Sequence, residues 1–417
     1  MSGQSDGLQI VVEANDTAKI QLVLNGVTMT NQEPPIYVNA ADKVFVTLAD
    51  GTSNSLTDGS TRADEAIDAV IFSRSDLTIN GNGQLTITGN FYNGIESKDD
   101  LIIAGGQITV NATNTALNAN DVVNIQGATL DLTAGNDGIK AENEEDLTLG
   151  NMYLNPNSLT INAGGDGIQA SNTVELAGGT IAINNSTEGI EAMYIHQTGA
   201  DITLVSSDDG LNASDPTATA SQAPGMGAST NSALSIVIDG GTLVIDAGGD
   251  GLDSNGSLTL NGGTVLVQGS QNGGNGAIDA DSQPIVNGGT IIALGTADMA
   301  QGLTSAANQP SISATVNGSA GSVVTILDEG GNQLAQMTAT QAFQSVIASA
   351  PTMTEGTNYI VDVDGSQVSA TGAASTGGGM RGMGGRGGEF SGLGQGQAPL
   401  TPPGTDVTSG ATSSSNN

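Results

Sequence analysis

Carboxylates recur along this chain beside glycines: Asp137 before Gly138, Asp166 before Gly167, Glu188 before Gly189, Asp209 before Gly210 and Asp250 before Gly251. Two residues after each glycine lies a second polar position, filled by Lys140, Gln169, Glu191, Asn212 and Asp253, with Asp68, Glu96 and Asn118 upstream and Asp279 downstream. Carboxylates grouped with amide oxygens are the ligand set of a hard cation, calcium above all. The densest group is Glu188, Glu191, Asp208, Asp209 and Asn212, with Asp166 one repeat before; Asp250 with Asp253, and Asp137, are further candidates. Asp before Gly is also ordinary turn chemistry, its side chain satisfying a backbone donor. Glu is a poor turn residue, which favours a metal role at the Glu188 to Asn212 group.

These residues need elements that line them up. The five glycines are 29, 22, 21 and 41 residues apart, and fainter copies of the phrase (NGIES, TALNA, EAIDA, GAIDA) extend the series over roughly residues 60–300. A unit near 22 residues marks a solenoid, in which each unit buries its apolar face on its neighbours. Segments such as LTINGNGQLTITG and NTVELAGGTIAIN alternate aliphatic with polar residues, the period of half-buried strands, and no helical period competes. The sequence therefore predicts an all-β parallel β-helix of about three short strands per coil, on the order of 13 coils and roughly 60 Å long. In it the carboxylates form two neighbouring columns along one edge. At the ~4.8 Å between coils, two carboxylates repel by about 0.9 kcal/mol in water and about 3.5 kcal/mol at an effective dielectric of 20. Such a strip requires neutralisation, which a bound cation supplies.

Composition narrows the partners. Lys and Arg number 8 against 43 Asp and Glu, a net charge of −35, so nucleic acid and anionic membrane are excluded as direct partners. With no Cys and a single His, His196, thiolate and imidazole-cluster metal sites are excluded as well. His196 shows no catalytic partner in sequence and is expected at the surface. No apolar run approaches the ~20 residues of a membrane span. The start MSGQSDGLQI lacks the basic and apolar segments of a secretion leader, yet strand-like sequence follows at once, so a leader or first coil is expected to be missing from this chain. An extracellular or cell-surface location is expected, as is a monomer.

Residues 1–308 are assigned to the β-helix, with a polar insertion at 213–234 that accounts for the 41-residue step. Residues 309–370 read as a small antiparallel β cap, and 371–417 as a disordered Gly/Ser/Thr-rich tail. Tyr153 and Tyr194 are placed near the acidic strip as possible sugar-stacking residues; aromatics at 2% and no Trp argue against a flat aromatic platform.

The GGT-strand-DGI[x]A grammar, LNGVTMTN, FVTLADGTSNSLTDGS, SDDGLNASD and the tail GGGMRGMGG together resemble the bacterial carbohydrate-binding domain-containing proteins, from about residue 20 to 385. The resemblance implies a right-handed parallel β-helix, similar in shape to pectate lyases, extracellular, calcium-loaded and associated with plant cell-wall polysaccharides, pectin and cellulose. It places Glu188, Glu191, Asp208, Asp209 and Asn212 on the family's acidic calcium positions. Calcium held by carboxylates keeps open positions that a uronate can fill, so even this acidic chain is expected to bind an anionic polysaccharide. Two alternatives stand beside binding. One is a calcium-dependent lyase with Lys140 as base, which its carboxylate neighbours oppose by raising its pKa. The other is a structural adhesion rod.

Overall fold

The computed structural model describes residues 1–376 apart from 144, 216–233, 273 and 308. Most of the expected insertion, and the expected tail beyond 376, lie outside the described residues.

Alternating patterns build the coils directly. A representative coil runs Gln107–Ala112, Leu117–Ala119, Val122–Gln126, and the chain then returns to Thr129–Ala134 beside its start. Each of the three strands pairs in parallel with its counterpart in the next coil, giving sheets I, II and III, of 14, 11 and 11 strands. The described residues thus form a parallel β-helix of eleven complete coils. That is fewer than a uniform 22-residue unit predicts, because early coils are longer: Ile10, Ile36 and Ile71 are successive partners. Inward positions such as Ile139, Leu130, Leu132, Val123 and Ile125 are buried to 1% exposure or less. Each such side chain contributes about 1.5–3 kcal/mol, and since no coil buries both of its faces alone, the stack folds as a column.

The glycine of the acidic phrase is required for closeness. A Cβ on Gly167 would lie 2.6 Å from the carbonyl oxygen of Gly189 in the next coil and 2.8 Å from the side chain of Ile183. Gly138, Gly189, Gly210 and Gly251 meet the following coil in the same way. The second glycine of the GG pairs has a different reason: Gly241 and Gly263 both turn at φ +79°.

The segment DGSTRADEA, between the early strands and the repeats, holds a buried ion pair. Arg62 Nη2 donates to Asp58 Oδ2 at 2.6 Å, with both side chains inaccessible to solvent. The same guanidinium donates to the carbonyls of Gln32 (2.7 Å), Ile67 (3.0 Å) and Ala69 (3.1 Å) and stacks on Phe91. It thereby fixes the backbone on either side of Asp68.

Beyond Thr290–Gly295 the stacking direction changes. Phe343–Ser349 pairs antiparallel with that last coil strand and with Ser311–Gly318, while a separate four-stranded antiparallel sheet comprises Val323–Leu327, Gln333–Thr338, Asn358–Val363 and Ser366–Thr371. Phe343, Ile312, Val324 and Val361 form a second core against Ile292 and Leu294 of the last coil. The expected loss of structure at Thr371 is corrected over six residues: Ala373 pairs with Ser311, and the Thr376 N–H donates to the Leu303 carbonyl at 3.0 Å. No helix among the described residues is long and apolar enough to cross a membrane.

Gly167→Ala is expected to destabilise the protein by about 1–3 kcal/mol, because the backbone it would strike belongs to a neighbouring coil; urea unfolding measures this. Arg62→Ala, which strands the buried Asp58 carboxylate, is expected to cost about 3–5 kcal/mol in the same assay.

Candidate functional site

Sheet II carries the outward column, because its short strands pair in register: Glu96, Asn118, Lys140, Gln169, Glu191, Asn212, Asp253 and Asp279 are successive partners. Asp68 is the exception. The strand Ala69–Ser73 places Phe72, not Asp68, opposite Glu96. Asp68 precedes that strand but still reaches Glu96, and burial together with that neighbour pushes its pKa up to about 7.

The carboxylates before the glycines form a ladder that links coil to coil. Asp137 Oδ1 accepts the Asp166 N–H (3.0 Å), Asp166 Oδ1 accepts the Glu188 N–H (3.0 Å), and Asp209 Oδ1 accepts the Asp250 N–H (2.7 Å). Asp250 in turn accepts the Gly276 N–H. The backbone role that turn chemistry offers is therefore filled by one oxygen of each Asp. Glu188, whose longer side chain reaches past the ladder, instead accepts from Asn212 Nδ2 at 2.9 Å.

Crowding leaves its mark on these acids. Burial, then Glu191, pushes Glu188 up to about 8. Burial, then Asp209 and Asp250, pushes Asp253 to about 8. Burial is also the first cause at Asp250, raised to about 7, and at Asp166 and Asp209, each raised to about 6. Asp137 is raised by burial as well. Asp208 stands apart as an exposed residue beside the half-buried Asp209. Asn212 is buried, and with its amide nitrogen on Glu188, its Oδ1 has no hydrogen-bond partner among the described residues. An unpartnered buried oxygen between crowded carboxylates is the arrangement a hard cation resolves. Nearby, Glu191 accepts from Gln169 (2.9 Å) and Ser214 (2.6 Å), and a cavity of about 20 Å³ lies between Glu142, Gln169, Glu191 and Ser214, room for one water or ion. The residues present therefore fit calcium, with carboxylates, amide oxygens and backbone carbonyls sharing the coordination.

Lys140 is not free to act as a base. Burial would lower its pKa, but Glu142, 2.7 Å away, with Asp137 and Asp166 outweighs this and holds the ammonium charged. Tyr153 and Tyr194 are corrected in place: both belong to sheet III, in Asn151–Asn155 and Tyr194–Gln197, around the coil from the acidic columns on sheet II. His196, expected at the surface, lies half-exposed on sheet III with Nδ1 2.8 Å from Glu175 and Nε2 2.9 Å from Asp239, and these carboxylates raise its pKa against a lowering by burial.

Two features escaped the sequence. Asp76, Asp99 and Asp100 bring carboxylate oxygens within 4.8 Å of one another, the one such triple of acids or imidazoles among the described residues. The other is a cleft of about 540 Å³ at the upstream end of the column, walled by Asp68, Tyr92, Glu96, Lys98, Asn118 and Lys140 among others. Its floor holds Glu96, fully buried, bonded by Asn93 Nδ2 (2.6 Å) and paired with Lys98. The phrase NGIES was the available signal, but nothing in it marks Glu96 as enclosed.

A parallel β-helix with a carboxylate-lined face and a polar cleft defines the class of protein. The profile of the family described as "Carbohydrate-binding domain-containing protein" matches residues 1–273, and this chain belongs to that family. A protein of the same description from Acetivibrio thermocellus is 40% identical over 117 residues, 27% of this chain. The chain spans 41% of that relative's length. A polysaccharide lyase-like protein from C. thermocellum, solved as a gadolinium derivative, is 37% identical with a TM-score of 0.40, covering 51% of this chain and 82% of its own.

The raised carboxylates set the pH dependence of the metal-free protein. Their folded pKa values, about 6 to 8, lie above the ordinary 3.8 of Asp and 4.5 of Glu. The folded state therefore holds more protons than the unfolded chain in this window, and stability falls as pH rises. In chelator, the melting temperature is expected to decline from pH 5 to pH 8; a flat or rising profile by calorimetry would contradict the crowding.

Proposed function

We propose that this chain binds polysaccharide along sheet II, with calcium bridging the carboxylate strip to the acid groups of a uronic acid polymer such as polygalacturonate. The observation that carries the reading is the Glu188, Glu191 and Asn212 group, where two half-buried carboxylates, Glu188 with its pKa raised by burial and by Glu191, lie beside a buried, unpartnered amide oxygen. Calcium supplies positive charge and open coordination positions there. The chain supplies the spacing: one set of ligands per coil at the ~4.8 Å strand interval, along which an extended polymer can lie. Family membership supports a carbohydrate as the partner, and plant cell-wall polymers, cellulose included, in an extracellular or cell-surface setting complete the proposal. The charged Lys140, held by Glu142, speaks against β-elimination.

Electrophoresis through a gel containing polygalacturonate is expected to show retardation that chelator abolishes. Retardation insensitive to chelator sinks the bridging role of calcium, and a rise in absorbance from unsaturated uronides would establish a lyase instead. Glu191→Ala and Asp209→Ala are each expected to lower bound calcium, measured by atomic absorption, and to shrink the calcium-induced rise in melting temperature. If both variants keep full calcium while Asp99→Asn loses it, the ion belongs to the Asp76, Asp99 and Asp100 group.

A further inference from the structure

The cleft at the head of the column has a chemistry unlike that of the strip. Its volume of about 540 Å³ falls within the roughly 300–1,000 Å³ of small-molecule sites, but its walls are polar throughout. Many of its amides are already committed to the protein: Asn93 holds Glu96, Asn114 holds Asn93, and Asn143 holds Asp121. Three groups are not. The amides of Asn118 and Asn120 and the hydroxyl of Tyr92 have no partner among the described residues. Both Asn118, in the strand Leu117–Ala119, and Asn120, in the bend that follows it, line the cleft. Asn118 sits in register between Glu96 and Lys140. Tyr92, 45% exposed, offers a ring face at the margin.

Charge decides what these groups can take. Acidic side chains in the lining outnumber its two lysines five to two, and both lysines are spent: Lys98 on Glu96, Lys140 on Glu142. No cation is left for a uronate carboxylate, which would meet net negative charge. Amides and carboxylates instead match the hydroxyls of an uncharged sugar, accepting and donating in turn, with an aromatic face for the apolar side of the ring.

We propose that this cleft is a second, metal-independent carbohydrate subsite that takes a neutral sugar, held by Asn118 and Asn120 and covered by Tyr92. The proposal rests on the carbohydrate-binding reading but not on calcium, so the two fail separately: the strip in polygalacturonate gels, the cleft in chelator. The test is calorimetric titration of the full chain in chelator with neutral tetrasaccharides of glucose, mannose and xylose, and with tetragalacturonate. At least one neutral sugar is expected to bind saturably, with affinity reduced about three- to tenfold in Asn118→Ala, as loss of one or two hydrogen bonds implies, and reduced also in Tyr92→Ala. The exposure of Tyr92 makes that variant safe for the fold. The proposal is overturned if no neutral sugar binds wild type in chelator, if binding is unchanged in both variants, or if tetragalacturonate binds more tightly than every neutral sugar there.

Discussion

In-register parallel pairing is the constraint on which everything else depends. When each strand must lie on its counterpart one coil away, a residue type repeated in sequence becomes a line in space about 4.8 Å per step. Aliphatic lines give a continuous core from Ile36 to Val286. Acidic lines give a strip whose self-repulsion the fold cannot relieve by moving any one side chain, because each is anchored by its strand. The glycine seam keeps the coils close enough for this: a Cβ at Gly138, Gly167 or Gly210 would lie within about 2.6 Å of the next coil's carbonyl oxygen.

Each acid before a glycine serves two demands at once. One oxygen of Asp137, Asp166 and Asp209 closes the turn of the following coil. The other accepts from Asn136 at Asp137 and from Gln169 at Asp166, and burial, with the neighbouring carboxylates, raises the pKa of Asp166 and Asp209. Turn chemistry, one of two rival accounts of these Asp residues, thus occupies one oxygen of each and leaves the second free of the backbone role. Glu188 breaks the pattern, and there the unpartnered Asn212 oxygen lies.

The fold was legible because periodicity is a property of sequence, and the column from Glu96 to Asp279 followed once the strands were aligned. Asp68 was misaligned because EAIDA imitates the repeat while the strand that pairs is AVIFS, which carries no acidic phrase. The enclosure of Glu96 was illegible for another reason. An outward position in a strand is open only if nothing covers it, and here Asp68, Lys98 and Asn93 do so from three directions. Arg62 escaped similarly, since its partners Gln32 and Phe91 lie in other coils. Tyr153 and Tyr194 were close to the strip in sequence but one corner of the coil away in space. Sequence distance is a poor guide across a corner, where a few residues change the face.

The ladder of carboxylates onto backbone N–H groups runs in one direction: Asp137, Asp166, Asp209 and Asp250 each accept from the coil that follows. Such a series has a reading frame. Chain added at a corner leaves acceptor facing donor, as between Asp209 and Asp250, 41 residues apart, whereas a slip of one residue within a strand would move the acids off their partners. The frame is therefore kept by the strands and not by the number of residues in a coil, and each added turn extends the outward column of sheet II by one position.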